Sequence, residues 1–282
     1  MADETQPVEF RRHLPARPAD LREQLPGLEP ERTVTDWGRS ERVETFVDRL
    51  VYDFLYRYWF RVEVEGIENL PSEGGALLLA NHAGAVPPDG AMIAKAIREE
   101  HPRARTLHVL TARALSGVPG IGMLQTKLGR IAPHPANLHR LLFDETQLVL
   151  AFPEGASATA KPFKERYRLR AFDSPGLIEV ALSARVPLIP VAVLGAEEAV
   201  PVLARVGGFR QLHRVPSVPV AAPLPLPAKF RIRFLEPIDT APMAIASSDD
   251  PGLVARLSDD IRALIQENLL ELVAERRSPW LG

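Results

Sequence analysis

The chain has 282 residues, 46% apolar and 25% charged, enough to bury a full core as one large domain or one domain with appendages. Its 34 basic and 36 acidic side chains leave a formal net charge of -2, so no global field draws it to nucleic acid or an anionic membrane, and any anion site must be local. It has no cysteine, which removes disulfides, thiolate metal sites and a cysteine nucleophile together.

Residues 1–33 mix Pro7, Pro15, Pro18, Pro26 and Pro30 with charges and little periodicity, which predicts an extended or disordered arm ahead of a single domain over 34–282. No apolar run resembles a secretory signal, and none approaches the roughly 20 residues that span a bilayer, so a cytoplasmic setting is the default expectation. From Ser40 to about Arg61, Phe46, Leu50, Phe54, Leu55 and Tyr58 recur at helical spacing, with Glu41, Glu44 and Asp48 elsewhere on the helix. This N-terminal amphipathic helix needs an apolar cover. The protein's own core is the first expectation and a membrane surface, as peripheral contact at its inner face, the second.

Strands and helices then alternate. Strands are expected over 60–64, 76–80, 106–111, 147–152 and 187–193, and helices over 89–99, near Leu138 and over 175–184. Several strands are nearly all apolar, as strands covered on both faces are, which predicts an α/β fold with a mostly parallel central sheet flanked by helices. Pro216, Pro219, Pro223, Pro225 and Pro227 cannot donate ladder hydrogen bonds, so 215–227 reads as an extended connection, a linker or lid. A C-terminal strand and helix follow within 229–276, the helix opening at Pro251 with Leu253, Leu257, Ile261, Leu264 and Ile265 in one stripe.

Two segments carry chemistry. Asn81-His82-Ala83-Gly84-Ala85-Val86-Pro87-Pro88-Asp89-Gly90 lies between a buried strand and a helix, at the end of a strand where α/β proteins bind ligands. The double proline forbids a continuous helix from His82 to Asp89 while Gly84 permits a reversal, so the imidazole and the carboxylate can meet across a loop. Such a pair suits removal of a proton from an alcohol: imidazole titrates near neutrality, and a carboxylate on its other nitrogen fixes the tautomer. Equally, Asp89 could simply cap the helix beside an ordinary loop histidine. The second segment, Phe152-Pro153-Glu154-Gly155, also follows a strand, and Lys161, Lys164, Arg166, Arg168 and Arg170 come soon after. Together they could hold a hydroxyl and a phosphate, or the basic run could be a solvated face.

In combination these residues resemble the lysophospholipid and glycerol-phosphate acyltransferase superfamily, whose members pair a His-to-Asp motif with a downstream Phe-Pro-Glu-Gly motif. The likeness covers a motif core of 64–198. It includes the Val186-Pro187-Leu188-Ile189-Pro190-Val191 strand, and Gly195-Ala196-Glu197-Glu198 is similar to a bacterial branch related to monoacylglycerol and diacylglycerol acyltransferases. The resemblance implies a glycerolphosphate-acyltransferase-like fold, with His82 as base, Asp89 as its partner, and Glu154 and Gly155 as acceptor-binding elements, with Lys164 and Arg166 nearby. It implies an acyl-CoA or acyl-carrier-protein thioester as co-substrate, a glycerolipid acceptor and no metal or cofactor. Two features depart from the pattern. Six residues separate His82 from Asp89 where the best-known members have four, and the block with a phosphate-contacting arginine is matched only loosely by Leu128-Gly129-Arg130-Ile131-Ala132-Pro133-His134, where Arg130 or His134 takes that part.

Rival readings lack their signatures. A serine hydrolase or acyl-thioesterase is the main alternative, but no Gly-x-Ser-x-Gly elbow occurs, and the nearest approach, around Ser157, has Thr159 where the second glycine belongs. A non-catalytic lipid-binding relative is a further alternative. The remaining histidines form no metal-ligand spacing, and neither a dinucleotide fingerprint nor a P-loop supports a nucleotide or nucleic-acid partner.

Overall fold

The computed structural model describes residues 35–83, 88–111, 120–159, 161–206, 218–221, 224–243 and 250–280. The expected arm over 1–33 lies outside them, as do residues 215–217 and 222–223 of the 215–227 connection. The core is a seven-stranded sheet in the order β1-β9-β6-β2-β5-β3-β4: β1 (Glu63–Glu65), β2 (Ala76–Ala80), β3 (Leu107–Leu110), β4 (Arg130–Ile131), β5 (Leu148–Ala151), β6 (Leu188–Leu194) and β9 (Arg231–Phe234). Every neighbouring pair is parallel except β6 with β9. The sheet is therefore mostly parallel, as its apolar strands predict.

Alternation along the strands splits the core in two. Leu78, Leu150, Val109 and Ile189 face one helical layer, while Leu77, Leu79, Val149 and Leu188 face the other. On the first face lie α1, which opens at Glu41–Val47 and continues through π-helical turns Asp48–Tyr52 and Leu55–Trp59, and α2 (Asp89–Glu100). The α2 helix buries Met92, Ile93, Ala96 and Ile97 there. On the second lie α4 (Pro135–His139), α6 (Gly176–Ala184) and the long C-terminal α8 (Pro251–Glu275), which buries Leu257, Ile261, Ile265, Leu269 and Leu272. Asp250 caps α8 by accepting the Gly252 N–H at 2.8 Å. Shorter helical pieces are α3 (Ile121–Lys127), α5 (Gly155–Thr159) and α7 (Ala196–Ala199).

Two expectations are corrected. Of the α1 stripe named from periodicity only Leu55 covers the core: Phe46, Leu50, Phe54 and Tyr58 are all more than half exposed. Tyr52, Tyr56 and Trp59 pack inward beside it. The reason is electrostatic. Glu44, Asp48 and Asp53 turn toward α2, where Lys95, only 2% exposed, pairs with Asp48 and Asp53 at 2.9 and 3.2 Å and with Glu99 at 2.9 Å, while Arg98 reaches Glu44 and Asp48. With the acidic side drawn inward, the apolar ridge faces out. The second correction concerns 215–227, where β8 (Val218–Ala221) pairs antiparallel with β7 (Val202–Val206) in a two-stranded sheet. In a two-stranded sheet Pro219 can sit on an edge, where its missing N–H costs no ladder bond.

Candidate functional site

The strands β2 and β5 are adjacent and parallel, so the loops after their C-terminal ends emerge side by side, and these loops carry His82 and Glu154. Asn81 fixes the first loop: its buried side chain accepts the Val193 N–H at 2.7 Å and donates to the Val193 carbonyl at 2.9 Å, extending the hold of β2 on β6. This residue was not singled out in the sequence, because its bridging partner lies 112 positions away. Residues 84–87, and with them the reversal expected at Gly84, lie outside the described residues.

His82 Nδ1 lies 3.0 Å from Asp89 Oδ2. Asp89, the first residue of α2, is 1% exposed and the imidazole 16%. A carboxylate accepts and cannot donate, so the contact places the proton on Nδ1 and leaves the Nε2 lone pair for other work. Asp89 also accepts from main chain: Oδ1 from the Gly90 N–H at 2.7 Å and Oδ2 from the Ala83 N–H at 3.3 Å. It thus serves the first turn of its helix and the histidine at once, a position where the helix dipole favours negative charge. The imidazole stacks on Phe152, with ring centroids 4.1 Å apart.

Glu154 is fully buried. Its Oε1 accepts the His82 N–H at 3.2 Å and its Oε2 the Arg170 N–H at 2.7 Å, with Lys161 Nζ 3.9 Å from Oε2. Gly155 adopts φ +58°, and the space above its Cα is taken by the Asp173 carboxylate, 2.4 Å from where a Cβ would stand. The side of Gly155 where a side chain would project is therefore filled by the protein's own carboxylate.

Arg130 reaches the site from β4, its guanidinium 3.0 Å from where a Cβ on Gly90 would stand. It lies beside the Tyr52 hydroxyl of α1, whose ionisation burial pushes up and Arg130 partly offsets. His134 is engaged elsewhere, accepting the Ala136 N–H at 3.2 Å as the N-cap of α4. Of the two residues left open by the sequence, Arg130 is the one beside the His–Asp pair.

The basic run does not join the site as a group. Lys161 is buried, paired with Glu197 at 2.5 Å and bonded to the Arg168 carbonyl at 3.0 Å. Glu197, partly buried, has its pKa raised by desolvation, which Lys161 opposes. Arg166 lies over the rings of Phe163 and Tyr167, Arg170 pairs with Glu165, and Lys164 is exposed. Neither Lys164 nor Arg166 shares a hydrogen bond or ion pair with His82, Asp89 or Glu154. Ser157, the weak hydrolase candidate, donates its hydroxyl to the Glu154 carbonyl at 2.6 Å and does not meet His82. Among the described residues no group of three or more potential ligands could hold a metal ion, and no helix is long and apolar enough to cross a membrane.

The family model described as Acyltransferase matches residues 61–194. Over 283 aligned positions the chain is 38% identical to an uncharacterised protein of Mycobacterium leprae (strain TN), covering 97% of this chain and 76% of that one. It is 30% identical over 238 residues to the Gallus gallus protein named "DGAT1/2-independent enzyme synthesizing storage lipids", covering 80% and 67% of the two chains. Among solved structures it resembles the 1-acyl-sn-glycerophosphate (LPA) acyltransferase PlsC from Thermotoga maritima, with a TM-score of 0.54 at 19% identity over 84% of this chain and 80% of that one, a likeness of fold.

Proposed function

This chain belongs to the acyltransferase family and is an O-acyltransferase of the glycerolipid type, and we propose that it works by general-base catalysis at His82 with Asp89 as its partner. The observation that carries this reading is the 3.0 Å contact between His82 Nδ1 and Asp89 Oδ2. Nε2 takes the proton of the acceptor hydroxyl as that oxygen attacks the carbonyl carbon of an acyl thioester, from acyl-CoA or acyl-carrier protein. The tetrahedral intermediate collapses, the C–S bond breaks, and the imidazolium returns its proton to the leaving thiolate. Asp89 stabilises the imidazolium between the two transfers, and backbone N–H groups at the loop ends stabilise the oxyanion. No metal or cofactor has a part in these steps.

The acceptor in this reading is a glycerolipid hydroxyl. Two observations favour an uncharged acceptor of the mono- or diacylglycerol kind over a lysophosphatidate-like one: Lys161, Arg166 and Arg170 are engaged with the protein's own groups, and the chicken relative carries a storage-lipid name. If the acceptor bears a phosphate, Arg130, whose guanidinium lies beside Gly90, meets it in this reading. Such acceptors reside in membranes, and the outward ridge of Phe46, Leu50, Phe54 and Tyr58, with Ile121, Met123 and Leu124 exposed on α3, offers apolar surface for peripheral contact.

The test is thiol release from acyl-CoA and acyl-carrier-protein donors with monoacylglycerol, diacylglycerol, lysophosphatidate or glycerol 3-phosphate, wild type beside His82→Ala. Release that requires an acceptor and falls by about a hundredfold or more in the variant supports the reading. Release indifferent to acceptor indicates a thioesterase, and full activity in His82→Ala removes the general base. Flotation with liposomes tests the membrane contact: serines at Phe46, Leu50 and Phe54 should leave the protein in the dense fractions, and a wild type that never floats refutes it.

A further inference from the structure

We propose that Glu154, which the resemblance casts as an acceptor-binding group, is a positioning residue whose carboxylate sets the main chain that carries His82, an inference that rests on His82 being the base. The carboxylate has no face left for a lipid. It is 0% exposed, and each oxygen accepts a backbone N–H from a different segment: His82, just after β2, and Arg170, on the approach to α6. On the side of Oε2 stands Lys161, 4% exposed and itself held by Glu197 and the Arg168 carbonyl. The turn that sends Glu154 inward is closed from the other side by Asp173, whose carboxylate covers Gly155 and whose N–H is bonded to the Pro153 carbonyl at 3.0 Å.

One side chain therefore ties three segments together at the point where the base is mounted. The His82 N–H bond orients the peptide plane and with it the direction in which the imidazole leaves the main chain. Asp89 and Phe152 then hold the ring at its edge and its face. A carboxylate suits the task because it offers two acceptor oxygens and no donor. A glutamine of the same shape turns an amide N–H toward one of the two backbone N–H groups. Misplacement of a reacting group by about 1 Å can cost roughly a hundredfold in rate without weakening substrate binding.

The experiment uses the full chain with Glu154→Gln, measuring kcat and KM with an uncharged and a phosphorylated acceptor, together with the pH titration of the His82 imidazole followed by NMR. Expected are a folded variant, a kcat lowered about ten- to a hundredfold by the same factor for both acceptors, a KM within about twofold of wild type, and a displaced His82 titration. A raised acceptor KM at retained kcat, or a loss that differs between the two acceptors, overturns the proposal in favour of direct acceptor contact. An unaltered enzyme overturns it as well. Should the glutamine variant not fold, Glu154→Asp keeps the charge and both acceptor oxygens but falls one methylene short of spanning the two N–H groups, and the same split is expected. If wild type shows no acceptor-dependent release, the general-base reading has failed, and the His82 titration alone decides on Glu154: an unshifted curve in the variant refutes the positioning role.

Discussion

The imidazole of His82 lies against the face of Phe152, ring centroids 4.1 Å apart and planes 29° from parallel, while its edge meets Asp89. An imidazole held at both edge and face has little freedom to rotate out of line. Phe152→Ala removes the face contact and leaves the Asp89 bond, so kcat should fall about tenfold or more from lost orientation with acceptor KM little changed. Phe152→Leu should fall between the two, and steady-state kinetics on the three proteins checks the order.

Asp89→Asn keeps the shape of the side chain but removes the charge that stabilises the imidazolium and the pure acceptor that sets the tautomer. A loss of kcat of about a hundredfold or more is expected. Because the two residues act as a unit, His82→Ala combined with Asp89→Asn should be hardly worse than His82→Ala alone. Losses that simply multiply would show that the carboxylate acts independently of the imidazole.

Lys95 stands almost fully buried among Asp48, Asp53 and Glu99. Its removal takes away the one cation the three share and leaves Arg57 beside Asp53 and Glu99 and Arg98 beside Asp48, so Lys95→Ala should destabilise the fold by about 1–2 kcal/mol, read as a lower urea midpoint at unchanged slope. Pairing it with Asp48→Asn should recover part of that loss.

His108 on β3 is buried, its Nδ1 has no hydrogen-bond partner among the described residues, and desolvation, helped by nearby Arg39, pulls its pKa from 6.5 down to about 4. The unfolded chain binds this proton more readily, so the contribution is complete above pH 6.5 and is lost as pH falls from there to about 4. The loss amounts to about 3 kcal/mol at 1.36 kcal/mol per pKa unit. Urea titrations between pH 7 and 4 should show it, and His108→Leu should flatten that part of the profile.

What could be read from the sequence followed from locality. The β2, β5 and β6 runs are apolar throughout because both of their faces are covered, and that pattern sits in consecutive residues. The His82–Asp89 pairing was open to inference because both residues flank one short loop. The outward turn of α1 was hidden: apolar residues occur nearly all round it, its π-helical turns shift the repeat, and the cations that choose its inner side are on α2. The fate of the basic run was hidden for the same reason. Lys161 is engaged by Glu197, which only tertiary structure brings beside it. The two-residue strand β4 was too short for a periodicity signal, although it carries Arg130 to the site.

The placement of β9 between β1 and β6 bears on anyone wishing to transplant this catalytic machinery. The stretch 61–194 holds both loop motifs and reads as a self-contained module, yet it ends at the last residue of β6. Cut there, β1 has no neighbour to pair with, β6 keeps a raw edge, and the sheet face shielded by α8 meets water. A trimmed enzyme or a motif graft must therefore bring residues 231–275 with it.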